Sequence, residues 1–361
     1  MKQLLFVISF LVLANVASAQ RDTTEFEEDV IPNFEPKPRG NKTIRLVFYN
    51  VENLFDVYDD TTKNDDAFTP KGDNKWSERR YNHKLQKTAK TLIATGGWEA
   101  PEIIGLCEVE NKFVVKELCQ KTVLRDYKYE IVHHESGDKR GIDVAMIYRP
   151  DKFEVLHHEK IVVKFPEKNA RPTRDILYVK GIGIKQDTLH IFINHWPSRY
   201  GGHLATDPKR MLAAKTLKAK VDSIYTSNPK ANIVLTGDFN DHPEDNSIII
   251  GLEARHDTTA LKDQELFNLM YEMRHTHGTH KFAGEWGVLD MWIISTGLIK
   301  GYGNFQITER KAQIFKAPWL LEDENVHLGK RPFRTYQGPK YIGGFSDHMP
   351  IILDLKVINK K

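Results

Sequence analysis

The feature that most restricts how this chain can fold is a series of short apolar runs, rich in β-branched residues and separated by turn residues. They lie at 44–48, 103–106, 129–133, 142–148, 153–163, 176–184, 189–194, 233–235, 289–294 and 351–353. Runs this short read as strands, because a helix needs ten or more residues at a 3.6 period. Two segments carry helical patterns instead. Ser77 and Glu78 can open a helix running through Leu92 to about Ala94, stopped by Gly96-Gly97. Asp207-Pro208 offers an N-cap with proline at the first helical position, ahead of a face of Met211, Leu212, Lys215, Leu217 and Val221. Strands outnumber helices, and the helices fall between strand groups, which predicts two packed sheets flanked by helices in one α/β domain. Turns are expected at Ser136-Gly137 and Lys185-Gln186, and long loops at 58–74 and 310–345.

The N-terminus reads differently. Met1-Lys2-Gln3 is a short basic start, an apolar run follows to Val16, and Ala17-Ser18-Ala19 has the small-x-small form that signal peptidases require. Residues 1–19 are therefore expected to be a signal peptide and the protein to be exported, to the periplasm or the medium. The apolar run is too short for a good membrane span, so no stable membrane insertion is expected. Residues 20–42 are polar, with Pro32, Pro36, Pro38 and Gly40, and read as a linker ahead of one domain over 43–358. The two cysteines, Cys107 and Cys119, make neither a disulfide framework nor a zinc site and read as buried thiols. A formal charge of +3 does not announce a nucleic-acid binder, nor does it exclude one.

Polar residues recur at the C-terminal ends of these strands, where open sheets place their sites. Asn50, Glu52 and Asn53 end the first run, and Glu108 closes the second. A carboxylate at the end of a buried strand is costly unless it is paired or binds a cation, and Mg²⁺ takes oxygen ligands, few of them from protein. Asp238 and Asn240 follow the run at 233–235 two residues apart, so they point the same way and suit a water and a phosphoryl oxygen. Asp347-His348, just before the last strand, pairs a metal ligand with an imidazole able to carry a proton or stabilise an oxyanion. His195 ends another apolar strand. A buried catalytic histidine needs a carboxylate to set its tautomer, and Asp290 and Asp143 are the candidates.

The ordered set Asn50, Glu108, His195, Asp238-Phe239-Asn240, Asp290 and Ser346-Asp347-His348 resembles the endonuclease/exonuclease/phosphatase superfamily. That superfamily contains pancreatic deoxyribonuclease, apurinic endonucleases, neutral sphingomyelinases and inositol polyphosphate 5-phosphatases. The resemblance spans 44–355, and is nearest to bacterial exported members through the segment from Tyr49 to Asp56 and through His195-Trp196-Pro197-Ser198-Arg199. It implies a four-layer α/β/β/α sandwich of two mostly antiparallel sheets, and a Mg²⁺ site that Mn²⁺ or Ca²⁺ could also fill. Carried over, Glu108 is the main metal ligand, completed by Asn50 and Asp347. Asp238 activates or orients the attacking water, and Asn240 holds a phosphate oxygen. His348, oriented by Asp290, assists attack. His195 stabilises the developing charge, with Asp143 as the residue expected to orient it.

On the substrate side, Ser198 and Arg199 follow His195 in a flexible loop, and Arg199 is a candidate phosphate clamp, as is Arg334 in the C-terminal loop. His275, His277 and His280 invite a zinc reading, but the segment reads better as a substrate-lining loop acting through Thr279 and Lys281. Most of the tryptophans are expected in the core, with one or two at the cleft. These residues predict a metal-dependent hydrolase of phosphate esters, an exported endonuclease or phosphodiesterase, with a phosphate-ester substrate that includes nucleic acid among its candidates and no protein partner. A phosphomonoesterase or lipid-head-group hydrolase is the alternative on the same site. A non-catalytic binding protein on the same scaffold is the remote one.

Overall fold

The computed structural model describes residues 42–97, 99–183, 187–257, 259–307, 309 and 312–358. Of the two compact units of the chain, Met1–Val30 and Ile31–Lys361, these residues belong to the second. The expected signal peptide, the linker up to residue 41, Trp98 and the turn at Lys185-Gln186 lie outside them.

Along the chain come β1 (Thr43–Leu54), α1 (Glu78–Gly96), β2 (Ile103–Val109), α2 (Lys112–Gln120), β3 (Glu130–His133), β4 (Asp143–Tyr148), β5 (Phe153–Ile161), β6 (Ile176–Gly183), β7 (Thr188–His195), α3 (His203–Ser227) and β8 (Asn232–Asp238). The second half is made of shorter pieces: β9 (Ala254–Arg255), β10 (Leu266–Asn268), β11 (His280–Phe282), β12 (Glu285–Gly287), β13 (Asp290–Ser295), α4 (Thr296–Lys300), β14 (Phe305–Ile307) and β15 (Gln313–Ile314). It ends with β16 (Leu321–Asp323), β17 (Lys330–Pro332), β18 (Tyr336–Gln337), β19 (Lys340–Tyr341) and β20 (Ile351–Val357).

The first large sheet runs β14-β20-β1-β2-β4-β3, with β15 also on β20, and the second runs β5-β6-β7-β8-β13-β10-β9. Most neighbours are antiparallel, but β1 and β2 are parallel near the centre of the first sheet and β7 and β8 near the centre of the second. Alternation along β1 shows how the layers form. Leu46 and Phe48 enter one buried cluster with Ile191 and Ile193 of β7, between the sheets. Val47 and Tyr49 enter another with Tyr81, Leu85 and Leu92 of α1 and Val114 and Leu118 of α2, outside the first sheet. Ala213, Leu217 and Val221 of α3 cover the second sheet. The result is the four-layer α/β/β/α sandwich. Each fully buried Leu, Ile or Phe contributes roughly 1.5–3 kcal/mol of transfer free energy, so the period-2 pattern sets the layering.

Helix α1 starts at its expected cap, Ser77, whose side chain accepts from the Arg80 amide, and stops at Gly97, whose φ is +69°. Helix α3 departs from expectation. It begins at His203, and Pro208 lies inside it. Gly201 and Gly202, at φ +92° and +110°, turn the chain early enough for a turn of helix to form ahead of the proline. The hydroxyl of Thr206 then donates to the carbonyl of Gly202, helping to hold that turn.

One glycine is demanded by the sheet itself. Gly237 sits in β8 opposite Asn194, at φ +151°, and a Cβ there would come within 2.2 Å of the Asn194 carbonyl oxygen. Backbone approach this close brings the last residues of β7 and β8, His195 and Asp238, into register.

Candidate active site

The carboxyl ends of the two central parallel pairs, β1–β2 and β7–β8, meet. The Asn50 amide at the end of the β1 apolar run donates to Asp238 Oδ2 at 3.1 Å and to Glu108 Oε1 at 3.4 Å. Its own oxygen accepts from the Glu52 amide. His195 Nε2 stands 3.8 Å from Glu108 and 3.6 Å from Asp238. Asn240 is held twice, its backbone N–H on Asp238 Oδ1 and its side chain on the Trp196 carbonyl.

The backbone bends to achieve this. Register shifts break both the β1–β2 and the β2–β4 pairings beside Glu108. Glu108 occupies left-handed backbone at φ +62°, as do Glu52, Asn53 and Asn240. Asparagine tolerates that region, but a glutamate there stores strain of about 1–2 kcal/mol. The bulge frees the Glu108 side chain from the alternation of its strand, and the Asn53 amide pins one of its oxygens at 3.0 Å.

His348 is fixed from two sides. Its Nδ1 lies 2.7 Å from Asp290 Oδ2, and its Nε2 lies 3.8 Å from Asp238. Asp290 begins β13, opposite Asp238 of β8. Thr279 fixes its backbone, the buried hydroxyl accepting from the amides of Leu289 and Asp290 at 3.1 Å each. Ser346 ties the His348 loop back to β1, donating to the Asn50 carbonyl at 2.7 Å and accepting from the His348 amide.

A second tier lies below. Arg334 bridges Glu52 (3.0 Å) and Asp347 (2.9 Å). The other oxygen of Glu52 accepts from the Thr335 amide and sits 3.9 Å from the buried Lys84 ammonium. That ammonium donates to Thr335 Oγ1 and to the Phe345 carbonyl, at 2.6 Å each. His280 forms a bridge to His348 with ring centroids 4.7 Å apart, and His280, Asp347 and His348 offer ligand atoms within 4.8 Å of one another. Asp238, Asp290 and His348 do the same.

Acid dominates the electrostatics. Burial pushes Asp238 up to about 7, and Asp290 and Glu108 push the same way against the lowering pull of His348. Burial and Asp347 raise Glu52 to about 7. Burial alone would lower His348, but the carboxylates of Asp290 and Asp238 outweigh it and raise the ring well above its ordinary value. His195 goes the other way: burial, reinforced by Arg174 and Arg140, holds it neutral, and its buried Nδ1 has no hydrogen-bond partner among the described residues. The two imidazoles that flank Asp238 are thus shifted in opposite directions. Clusters of carboxylates and imidazoles such as Asp238, Asp290 and His348, or His280, Asp347 and His348, can hold a divalent cation.

Not every expected side chain is where the sequence suggested. Asp143 takes the Ser136 amide and lies 3.4 Å from His133 Nε2, so the imidazole beside it is that of His133 and not His195. Its strand is paired with β2 and β3, which keeps it in the first sheet, whereas His195 belongs to the second. Lys281 is spent on Glu324 at 2.7 Å and on the carbonyls of Leu328 and Lys330, away from substrate. Thr279 is a fully buried positioning group with no face to a ligand. Arg199 is held by Asp245 (2.6 Å), Asp241 (3.3 Å) and the Asn240 carbonyl, which makes it a brace for the Asp238–Asn240 turn. Ser198 is exposed beside that turn. Lys84 escaped sequence reading as a site residue, and His280 was weighed there only within a zinc or substrate-lining loop. The signal for Lys84 was a lysine on the apolar face of α1, one turn after Tyr81 and beside Leu85. Trp76, Trp196 and Trp292 are in the core, and both cysteines are buried and free.

A cavity of about 720 Å³ opens next to Asn240 and His280, walled by Trp286, Leu289, Tyr200 and His242. It accounts for the tryptophan expected at the cleft.

Solved structures share the fold. Humanized D. rerio TDP2 carrying 14 mutations is 13% identical, with 88% of this chain and 100% of that one covered at a TM-score of 0.54. A Bacteroides thetaiotaomicron endonuclease/exonuclease/phosphatase family protein is 15% identical, with 88% and 98% covered and a TM-score of 0.53. The human Nocturnin catalytic domain, solved with a bound sulfate anion, is 14% identical, with 88% and 94% covered and a TM-score of 0.53. No curated protein matches the chain. The family model described as Endonuclease/Exonuclease/phosphatase family matches residues 45–357, nearly all of the described chain and every residue of the carboxylate ring. The chain therefore belongs to the endonuclease/exonuclease/phosphatase family and is a metal-dependent phosphoester hydrolase.

Proposed function

We propose that this protein is an exported, Mg²⁺-dependent phosphodiesterase of nuclease type that attacks phosphorus with water. The observation that carries the reading is the grouping of Asp238 between His348 and His195, with Glu108 and Asn50 alongside. Export rests on the apolar segment ending in Ala17-Ser18-Ala19.

Bound between Glu108, Asn50 and Asp347, the cation would supply positive charge to the phosphate oxygens. The remaining chemistry belongs to side chains. Asp238 orients the attacking water and accepts its proton, a task suited to a carboxyl raised to about 7, while the ester P–O bond breaks and the departing alcohol oxygen takes a proton from solvent. Asn240, its amide fixed by the Trp196 carbonyl, hydrogen-bonds a non-bridging oxygen. His348, oriented by Asp290, and His195 face the charge that builds on the phosphoryl oxygens. Interactions that strengthen with that charge lower the barrier more than they stabilise bound substrate. The largely apolar cavity beside Asn240 suits an aromatic or other apolar group on the ester.

The test is a panel of bis-p-nitrophenyl phosphate, p-nitrophenyl phosphate, DNA, RNA and sphingomyelin, each with Mg²⁺, Mn²⁺, Ca²⁺ and chelator. Turnover of bis-p-nitrophenyl phosphate and a nucleic acid with Mg²⁺, lost with chelator, is expected. Preference for p-nitrophenyl phosphate or sphingomyelin would overturn the nuclease reading.

A further inference from the structure

The edge of the first sheet carries another group of metal-ligand side chains, which the reaction does not use. His133 ends the edge strand β3, Asp143 begins the neighbouring β4, and Glu135 follows His133 by two residues. His133 pairs with Ala145, two residues along β4 from Asp143, so strand alternation turns all three of these side chains to one face. His133 Nε2 lies 3.4 Å from Asp143 Oδ2, and His133 Nδ1 lies 3.9 Å from Glu135. His133, Glu135 and Asp143 each offer one ligand atom, all within 4.8 Å of one another.

Two further observations point to a cation. The side chains of His133 and Asp143 are 3% and 2% exposed, and neither Nε2 nor Oδ2 has a hydrogen-bond partner among the described residues. These two atoms face each other and not a cavity, so what joins them is of ionic size. Their 3.4 Å separation is close to the roughly 3.3 Å between two ligands of one tetrahedral ion with bonds of about 2.0–2.1 Å. The acids also lack a fixed counter-charge. Among the described residues His133 is the one basic group within ion-pair distance of either, and the ammonium of Lys63 is taken up by the carbonyls of Ser136 and Asp138. Carboxylates this close repel unless positive charge joins them. Glu135 is 57% exposed, which leaves the group open to ions from solvent.

We propose that His133, Glu135 and Asp143 form a zinc site separate from the reaction centre. The imidazole decides the cation: Mg²⁺ and Ca²⁺ take oxygen ligands, whereas one nitrogen with two carboxylates suits Zn²⁺. The ion fixes a loop. Asp143 Oδ1 accepts from the Ser136 amide at 3.0 Å, and Ser136 Oγ accepts from the Asp138 amide at 3.2 Å. Asp138 pairs with the buried Arg174 at 3.3 Å, and Arg174 donates to the Trp196 carbonyl, the oxygen that holds the Asn240 amide. A cation joining the two ends of the 133–143 connection stiffens this support behind Asn240.

Zinc titration tests this. ZnCl₂ is added to the chelator-treated full chain in saturating Mg²⁺, which competes for the reaction centre, and binding is followed by calorimetry and by thermal melts. The wild type should show a zinc-binding step that His133→Gln and Glu135→Gln each weaken by about tenfold or more. That step should raise Tm in the wild type, and the rise should be lost in both variants. Glu135 is exposed, so its variant decides the matter even where His133→Gln does not fold. Zinc binding unchanged in Glu135→Gln belongs to the reaction centre and overturns the site, as does an absence of zinc binding in the wild type. Tighter binding of Ca²⁺ than of Zn²⁺ at this step overturns the choice of cation.

Discussion

Asp290 Oδ2 lies 2.7 Å from His348 Nδ1, which aims the opposite ring nitrogen at Asp238, 3.8 Å away. The pair joins the start of β13 to the loop before β20, and it determines both the tautomer and the charge of the ring. Asp290→Asn keeps the shape and removes the charge. It should lower kcat by roughly 10²–10⁴ with little change in KM. A variant that keeps more than a tenth of the wild-type kcat, in steady-state assays with bis-p-nitrophenyl phosphate, would show that His348 does not depend on Asp290.

Glu108 has two separable properties, a carboxylate and a left-handed backbone. Glu108→Ala and Glu108→Gly should both lose at least about 10²-fold in turnover and lose the Mg²⁺-induced rise in Tm. Glycine relieves the left-handed strain, so the glycine variant should be more stable than the alanine one by about 1 kcal/mol. Urea melts of the two variants decide this, and equal midpoints would argue against strain at the bulge.

Gly237→Ala should be far more damaging than its size suggests. Its Cβ would meet the Asn194 carbonyl oxygen at 2.2 Å, so β7 and β8 must part or the chain must bend. A loss on the order of 3 kcal/mol or more is expected from chemical denaturation. A loss below about 1 kcal/mol would mean that β8 does not need the close approach.

The buried ammonium of Lys84 faces Glu52 across 3.9 Å. Lys84→Met leaves Glu52 buried with less compensation and should cost about 3–5 kcal/mol. Adding Glu52→Gln should recover part of that loss, because the uncompensated charge is then gone. Denaturation of the two single variants and the double variant gives the coupling, and strict additivity would show that the two groups do not interact.

Stability should also vary with pH through His190. Burial, with Lys180 and Lys220 adding to it, pushes this ring down to about 4, and the Tyr178 hydroxyl lies 2.8 Å from its Nδ1. Between about pH 6.5 and 4 the unfolded chain takes up a proton that the folded chain refuses. Stability is therefore complete above about pH 6.5 and falls as pH drops through that window, by roughly 3 kcal/mol for this group. His190→Gln should remove that part of the slope, read as the difference between wild-type and variant melts at pH 7 and pH 4.5.

Much of the site was legible because its residues stand at strand ends. Asn50, Glu108, His195, Asp238 and Asp347-His348 each follow or precede an apolar run, and polar groups in such places are conspicuous whatever they touch. What they touch was less legible. Asp143 and Asp290 looked equivalent as histidine partners, yet Asp290 meets His348 whereas Asp143 meets His133. Lys281 and Arg199 looked free, but carboxylates from other segments claim them.

The amino-acid pattern alone determined the layers, since a period of two along β1 sends alternate side chains to opposite buried faces. It also determined where the helix of Ser77 starts and where polar chemistry sits along each strand. Only the tertiary structure decided which acid serves which imidazole, that Glu108 leaves its strand through a bulge, and that His133, Glu135 and Asp143 meet. Local pattern follows from each residue and its near neighbours. Partnership follows from register and sheet order, which bring together groups hundreds of residues apart and which nothing local in the chain specifies.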